Sequence, residues 1–370
     1  MRFTNCIRSV AICVVVLTLC ALSATPARAV DPWGLKPGNV ELKSAGALVF
    51  GPAGILFVGD TAGGAVYAIA TGDQGARSAG ELSLAGLSAQ LAQHLGVAEA
   101  DLKVNDLAVN PETGHIYLSV AAGKPARGAI VGISSDGTLK TISLENVPHA
   151  RAELTDVPDS AVGRRGDPRD DAITDLAYRD GKLLVAGLAK GESPSTVREF
   201  AFPFAAGATA TKIEIFHAAH GRVEDHAVVR TFVPLVIDEE PVVLAGFTCT
   251  PLVRFPISAL EAGNKVRGTT VAELGNRNRP LDMIVYEKNG QRYILMANSA
   301  RGVMKISLAN VRENPGLTEP VRGGGTAGQT YETIAELAGV EQLDKLDDAH
   351  GVILAKNADG SLDLRTIALP

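Results

Sequence analysis

The chain has 370 residues, of which 46% are hydrophobic and 5% aromatic, and its 35 basic and 41 acidic residues give a net charge of −6 at pH 7. Residues 1–29 carry three arginines and no acid, so the remainder has 32 basic and 41 acidic residues and a net charge of −9. This balance argues against binding to nucleic acid or to an anionic membrane surface, because both repel an acidic protein.

The N-terminal segment predicts a cleaved secretory signal at residues 1–29. A basic lead, MRFTNCIRSV, precedes the apolar run AICVVVLTLCALSA and a small-x-small site at residues 27–29, which is the order typical of signal peptides. We expect an exported protein, periplasmic or extracellular, that has no membrane span after cleavage; an uncleaved anchor is the alternative. Cys249 is then the only cysteine left, so no intramolecular disulfide can form.

Short apolar runs separated by Gly, Pro, Asn and Asp fill the chain after residue 31 and predict an all-β fold. Five segments, beginning near residues 46, 104, 172, 227 and 280, repeat an order of strand, turn, strand, small-residue loop and strand, and a shorter sixth begins near residue 340. A fourth strand follows some of them, as at residues 270–274. Four-stranded units repeated radially indicate a β-propeller. We predict one domain, residues 30–370, with six blades, or with seven if residues 72–104 or 140–172 contain another unit.

The segments between the repeats carry three further predictions. Residues 40–43 (VELK) form an unpaired N-terminal strand that would complete the last blade and close the ring, which removes an open sheet edge. Residues 82–102 have apolar residues at helical spacing and predict one short helical insertion. Residues 146–172 are polar and predict a long loop, a feature that is often functional in a compact domain.

One face of the predicted propeller, called the top face below, carries the connections between blades and the loops between second and third strands. Asp106, Asp175 and Asp282 hold equivalent positions at the start of inner strands, so we expect them to ring the mouth of the central channel, with Asp344 as a fourth candidate. Three interpretations stay open: turn or blade-linking residues, ligands of a Ca²⁺-like cation, or partners of nearby arginines or an anionic ligand.

Arginines of the top-face loops complete the predicted ligand site. The loops contribute Arg164, Arg165, Arg169, Arg277, Arg279 and Arg301. We predict that a small molecule or a protein partner binds there, and the selected binding residues are Asp106, Asp175, Asp282, Arg165, Arg279 and Arg301.

The stretch from residue 212 to residue 255 holds His217, His220, His226 and Cys249 within one predicted blade and its entry loop. Imidazole and thiolate are ligands that copper and zinc prefer, so these four residues form a candidate metal site. Their spacing lacks the HExxH zinc pattern. If the strand continued through His220, alternation would place His217 and His220 on opposite faces. The alternative is a group of surface and turn histidines around a buried cysteine.

Two repeats, VNDLAVNPETGHIYLSV and GPAGILFVGDTAGGAVYAI, resemble the NHL, YVTN and gluconolactonase-like superfamily of β-propellers. The resemblance covers nearly all of the chain after residue 30 and extends to secreted bacterial propellers of unassigned role. Gluconolactonase-like members hold a divalent cation in the channel on acidic and amide side chains. The resemblance therefore implies Asp106, Asp175 and Asp282, with Asn105 nearby, as cation ligands, whereas Ala47 stands where that family has a glutamate.

Two classes of function follow. The first is a secreted module that binds a small ligand, a metal (calcium, copper or zinc) or a protein at the channel mouth. The second is a metal-dependent enzyme on the same face: a lactonase-like hydrolase in which a cation activates water, or a copper-type oxidoreductase on Cys249 and the histidines. The chain has no GxSxG elbow, Walker loop, CxxCH site or CxxC pair, and the lack of a complete catalytic set favours the binding module.

Overall fold

The apolar runs fold as short β-strands separated by tight turns. The computed structural model describes residues 31–370 except 78–79, 164–165, 206 and 262, and residues 32–370 form one compact unit. The predicted signal segment, residues 1–29, and the predicted ligand residue Arg165 lie outside the described residues. Within those residues, no helix is long and apolar enough to cross a membrane.

The described strands are two to nine residues long. In chain order, the first fourteen are β1 Lys36–Gly38, β2 Leu48–Phe50, β3 Ile55–Asp60, β4 Ala65–Ala70, β5 Ser83–Leu84, β6 Leu102–Val109, β7 Ile116–Ala122, β8 Arg127–Ile133, β9 Leu139–Thr141, β10 Val147–Glu153, β11 Asp175–Arg179, β12 Lys182–Leu188, β13 Ser195–Ala201 and β14 Thr209–His217. The rest are β15 Arg222–Glu224, β16 Val229–Ile237, β17 Glu240–Phe247, β18 Pro251–Pro256, β19 Val266–Arg267, β20 Thr269–Glu273, β21 Pro280–Lys288, β22 Gln291–Asn298, β23 Gly302–Ser307, β24 Ala327–Gly328, β25 Tyr331–Ile334, β26 Val340–Lys345, β27 His350–Lys356 and β28 Leu362–Ala368. The α-helices are α1 Leu87–Leu95 and α2 Ile257–Leu260.

These strands form six sheets, and the predicted six-bladed all-β propeller is confirmed. Blade 1 contains β2, β3, β4 and β10, with β1 at its outer edge, and blade 2 contains β6 to β9. Blade 3 contains β11 to β15, with β19 paired to β14, and blade 4 contains β16, β17, β18, β20 and β24. Blade 5 contains β21, β22, β23 and β25, and blade 6 contains β26, β27, β28 and β5. The first strand named in each blade is the innermost one and lines the channel.

The blades do not follow the chain order around the ring. Blade 1 lies between blades 2 and 3, and blade 2 lies between blades 1 and 6, so the order is 2, 1, 3, 4, 5, 6. On β3, Ile55 and Phe57 pack in a cluster shared with blade 3, whereas Leu56 and Val58 pack in a cluster shared with blade 2. Because both faces of the blade are buried, successive residues can all be apolar, which explains the continuous apolar runs in the sequence.

A two-residue strand, Ser83–Leu84, closes the ring, which corrects the prediction that residues 40–43 do so. It pairs with β28 as the fourth strand of blade 6, and Leu82 beside it packs in a cluster shared by blades 2 and 6. Val40 instead donates its backbone N–H to the Leu144 carbonyl at 2.8 Å. The reason is the path of the chain: on its way from blade 1 to blade 2 it passes the outer edge of blade 6.

Two long connections carry the chain past blade 2 and back. In the first, Asp73 accepts hydrogen bonds from four side chains around the β6–β7 turn, and the predicted helix follows as α1. In the second, part of the segment predicted as a loop forms β10, which pairs with β4 as the fourth strand of blade 1. Ala150 and Ala152 of β10 pack against the core, but small residues at this spacing are too weakly apolar to indicate a strand.

Candidate functional site

A tight turn brings His217 and His220 together at the outer edge of blade 3. Strand β14 ends at His217, and the backbone N–H groups of His220 and Gly221 both donate to the His217 carbonyl, at 3.0 and 2.8 Å. The two imidazole rings lie with centroids 3.8 Å apart and planes tilted by 34°. Placement on opposite faces, expected for a continued strand, does not occur because the strand stops before His220.

Glu224, a residue that the sequence did not single out, fixes both rings. It lies on β15, which returns antiparallel to β14, and it accepts hydrogen bonds at 2.8 Å from Nδ1 of His217, Nδ1 of His220 and Nε of Arg222. Burial alone would raise the pKa of Glu224, but these donors outweigh it and lower the pKa to about 2. The carboxylate therefore stays ionised and leaves Nε2 as the available nitrogen of each ring.

Nε2 of His217 is a buried polar atom without a hydrogen-bond partner among the described residues. The His217 side chain is 2% exposed, whereas that of His220 is 40% exposed. Burial lowers the pKa of His217, which favours the neutral imidazole, and with Nδ1 bonded to Glu224 its lone pair lies on Nε2. Buried polar groups are nearly always satisfied, so the partner of this nitrogen is an ordered water or an ion.

Cys249 reaches the same place from blade 4. It lies in the turn between β17 and β18, where Cys249 and Thr250 both have left-handed backbone angles, with φ of 68° and 66°. Backbone hydrogen bonds hold this turn: Cys249 donates to Asn278 at 2.9 Å, and Thr250 donates to Phe247 at 2.9 Å. Left-handed angles at two successive residues are a feature of tight hairpin turns, and Asp238 and Glu239 between β16 and β17 share it.

Three of the four predicted metal ligands thus converge. One candidate ligand atom from each of His217, His220 and Cys249 lies within 4.8 Å of the others. His226 does not join them; its Nδ1 lies 3.7 Å from Asp225. We call the three residues the His–Cys cluster. It lies between blades 3 and 4, and none of its residues lines either cavity of the central channel.

A second carboxylate, Glu273, lies next to the His–Cys cluster on β20. Its side chain is fully buried, and Oε2 accepts a hydrogen bond at 3.1 Å from the backbone N–H of Ala219, between the two histidines. Oε1 has no partner among the described residues. Burial, with a smaller effect from the charge of Glu224, raises the pKa of Glu273 to about 7.

The ring aspartates face the channel and tie neighbouring blades together. Each carboxylate accepts the backbone N–H of the next residue and one from the inner strand of the adjacent blade. The bonds between blades run from Leu48 to Asp106 at 2.6 Å, from Phe232 to Asp175 at 2.7 Å, from Leu343 to Asp282 at 2.8 Å and from Val109 to Asp344 at 2.7 Å. The blade-linking interpretation therefore accounts for the position of all four.

Burial raises the pKa of every carboxyl in this ring. The pKa of Asp175 is raised to about 7 and that of Asp344 to about 6. For Asp106 and Asp282 the pKa lies well above the ordinary value, because burial is reinforced by the charge of a neighbouring carboxylate. With its amide nitrogen toward the ring, Gln342 donates to Asp106 at 2.9 Å and to Asp282 at 3.0 Å. The ring therefore changes its charge near neutral pH.

Two cavities lie along the axis, and the ring residues Asp106, Asp175 and Asp282 line both. The upper funnel has about 610 Å³ and is lined by polar residues of the top-face loops, Arg279 among them. The lower chamber has about 400 Å³ and is lined mainly by apolar inner-strand residues. Arg301 lines neither cavity; its guanidinium lies beside Gly275. Of the predicted binding residues within the described part, only Arg301 stands apart from the channel.

Comparison with known proteins identifies no family. No family model matches the chain, and no curated protein matches it. Among solved structures, it is similar to a proposed oxidoreductase (glucose dehydrogenase) from Thermus thermophilus, with 14% identity and a TM-score of 0.34 over 90% of this chain and 100% of that one. It is also similar to a GH43 glycoside hydrolase (13% identity, TM-score 0.37, 73% of this chain and 51% of that one). A third similar structure is the extracellular region of plexin A4 (9%, 0.44, 90% and 40%). Similarity this low assigns neither a family nor an activity.

Proposed function

We propose that this protein is an exported β-propeller that holds one copper or zinc ion on His217, His220 and Cys249. The observation that carries the proposal is the buried, unpartnered Nε2 of His217 beside a second imidazole and a thiol. Glu224 adds the orienting carboxylate that metal-bound histidines usually have on their other ring nitrogen. A thiolate with two imidazoles suits copper or zinc, and a hard cation such as calcium prefers oxygen ligands.

Purified protein should contain close to one equivalent of copper or zinc, and His220→Ala and Cys249→Ser should each lose it, because each removes one of three ligands. Elemental analysis after exhaustive desalting measures this. Glu224→Gln keeps all three ligands but loses the ionised acceptor, so metal affinity should fall about 10- to 100-fold.

The matched control is His226→Ala, which removes an exposed histidine of the same segment that lies outside the His–Cys cluster. It should retain the full metal content. Metal-free wild-type protein that also fails to take up added copper or zinc would contradict the proposal, as would equal metal loss in His226→Ala and His220→Ala.

The same site also supports the oxidoreductase alternative, since copper on a thiolate and two imidazoles can exchange electrons. A second candidate function is the binding of a small ligand, a hard cation or a protein partner at the top face. The convergence of three carboxylates with Gln342 in the channel favours it, and the resemblance to gluconolactonase-like propellers implies a cation there.

If the ring binds calcium, the cation should raise the melting temperature at pH 8. The effect should shrink at pH 5, because protons then occupy the carboxyls and compete with calcium for them. Thermal unfolding with millimolar calcium or with chelator tests this. Asp175→Asn should abolish the shift. An equal calcium effect in wild type and Asp175→Asn would rule out the ring as the site.

A further inference from the structure

We infer that the metal centre proposed on the His–Cys cluster is an open one, whose fourth coordination position faces solvent and takes an exchangeable small donor such as azide or cyanide. This inference rests on the proposed function and goes beyond it, because a metal can also be held in a closed, purely structural site. The distinction decides whether the ion can meet a substrate.

The number of protein donors supports an open centre. Among the described residues, the cluster contains three ligands, and no fourth His, Cys, Asp or Glu has a ligand atom within 4.8 Å of all three. Structural zinc sites use four protein ligands, whereas zinc sites with three protein ligands keep the fourth position for water or substrate. Copper sites of two histidines and one cysteine likewise have at most a weak further ligand.

The exposure of the three ligands indicates where the fourth position lies. His217 is 2% exposed, His220 is 40% exposed, and Cys249 is half-buried. An ion held between them has a buried nitrogen on its inner side and partly exposed donors on its outer side. Its remaining position therefore points away from the core, toward water.

Glu273 is the one described residue that competes with this inference. Its Oε1 is buried and without a partner, and Oε2 bonds the turn between the two histidines. If this carboxylate moved to the ion, it would close the site. The geometry argues against it, since the Ala219 hydrogen bond holds Glu273 and its oxygens fall outside the cluster of ligand atoms.

Hydrogen bonds within the protein already hold the three ligands in place when no metal is bound. Glu224 binds both rings, and the Cys249 turn is fixed by backbone bonds on both sides. A site with ligands fixed in this way cannot readily recruit a distant fourth side chain. An exogenous donor then meets no competing protein ligand.

The test uses Co(II) as a spectroscopic probe in the full chain, with azide as the donor. Metal-free protein is loaded with one equivalent of Co(II), and visible absorption is recorded during an azide titration. We expect thiolate and ligand-field bands that shift saturably with azide. In Glu273→Gln the azide midpoint should stay within about twofold of the wild type, because Glu273 is not a ligand.

Three outcomes would overturn the inference. Bound Co(II) with bands that azide does not change indicates a closed centre and leaves the proposed function intact. Bands that respond only in Glu273→Gln identify Glu273 as the fourth ligand. Failure of wild-type protein to bind Co(II), copper or zinc overturns the proposed function and this inference together. Since Cys249→Ser should lack the thiolate band, it shows that the signal comes from this site.

Discussion

Replacing Arg198 by alanine should lower the free energy of unfolding by about 3 kcal/mol, because it removes a buried charge that makes three hydrogen bonds. Arg198 lies on β13 and is 1% exposed. Nε donates to Asp156 at 2.7 Å, Nη1 to the Ala172 carbonyl at 3.1 Å and Nη2 to the Leu188 carbonyl at 2.8 Å. It thereby anchors the long connection before blade 3 to the second strand of that blade. Alanine leaves two carbonyls without their donor, a cavity, and a carboxylate without its counter-ion.

Urea unfolding at neutral pH measures the effect, and Arg267→Ala is the matched control. Arg267 forms an ion pair with Glu214 at 2.6 Å, as short as that of Arg198, but its side chain is 60% exposed. Exposed pairs contribute little, so the control should lose less than about 1 kcal/mol. If the two variants lost equal stability, burial would not be the source of the effect and the anchoring role of Arg198 would be wrong.

The blade content of this fold could be predicted from the sequence, but the order of the blades could not. Inner strands are apolar runs that begin and end at turn residues, and this local signal located all six. The exchange of blades 1 and 2 around the ring depends on β5 and β10, which are short or polar. Ser83–Leu84 is a two-residue strand, and β10 carries small residues on its buried side. Their pairing partners lie far along the chain, where no local pattern indicates them.

The His–Cys cluster was also predictable only in part, because its residue types are local information and their meeting in space is not. The residue types of His217, His220 and Cys249 indicated copper or zinc, but their meeting depends on where β14 ends and on how blade 4 packs beside blade 3. His226 had the same residue type and lies apart. A local turn pattern indicates the position of Glu224. A hairpin that turns at Gly221, with φ of 65°, brings Glu224 back beside the strand that holds His217.

The ring aspartates illustrate a different limit. Their equivalent positions were visible in the repeats, and they do face the channel. Their partners are backbone N–H groups of other blades. Because every residue except proline has such a donor, the residue type of the partner does not reveal the hydrogen bond. The sequence therefore located these carboxyls without distinguishing a blade-linking role from a binding role.

Wild-type stability should fall as pH rises from 5 to 8 through the contribution of Asp175, and Asp175→Asn should remove that contribution. Burial raises the pKa of Asp175 from 3.8 to about 7, so the folded state holds this proton more tightly than the unfolded state. The stabilisation is complete below pH 4 and is lost as pH rises through about 7. The shift sets an upper limit of about 4 kcal/mol, and because the carboxyl borders the channel we expect about 2 kcal/mol.

Comparing variants isolates Asp175 from other titrating groups. Glu273, with its pKa raised to about 7, acts in the same direction, whereas His217, with its pKa lowered, acts in the opposite one, and both remain in the variant. At pH 5 the variant should be less stable than wild type by about 1 to 3 kcal/mol. The two carboxyl oxygens of Asp175 each accept a hydrogen bond from a backbone N–H, and in Asn the NH2 group that replaces one oxygen cannot accept. The two unfolding free energies should then converge toward pH 8.

Urea unfolding at several values between pH 5 and 8 gives both curves, and Asp348→Asn serves as the control. The Asp348 side chain is 100% exposed and pairs with Lys345 at the surface, so its removal should leave the pH dependence between pH 5 and 8 unchanged. A constant difference between wild type and Asp175→Asn across this range would mean that Asp175 is ionised throughout, and the raised pKa would be wrong. Convergence in Asp175→Asn but not in Asp348→Asn would establish that the fold is less stable when the buried Asp175 carboxyl loses its proton, because the charge is poorly solvated there.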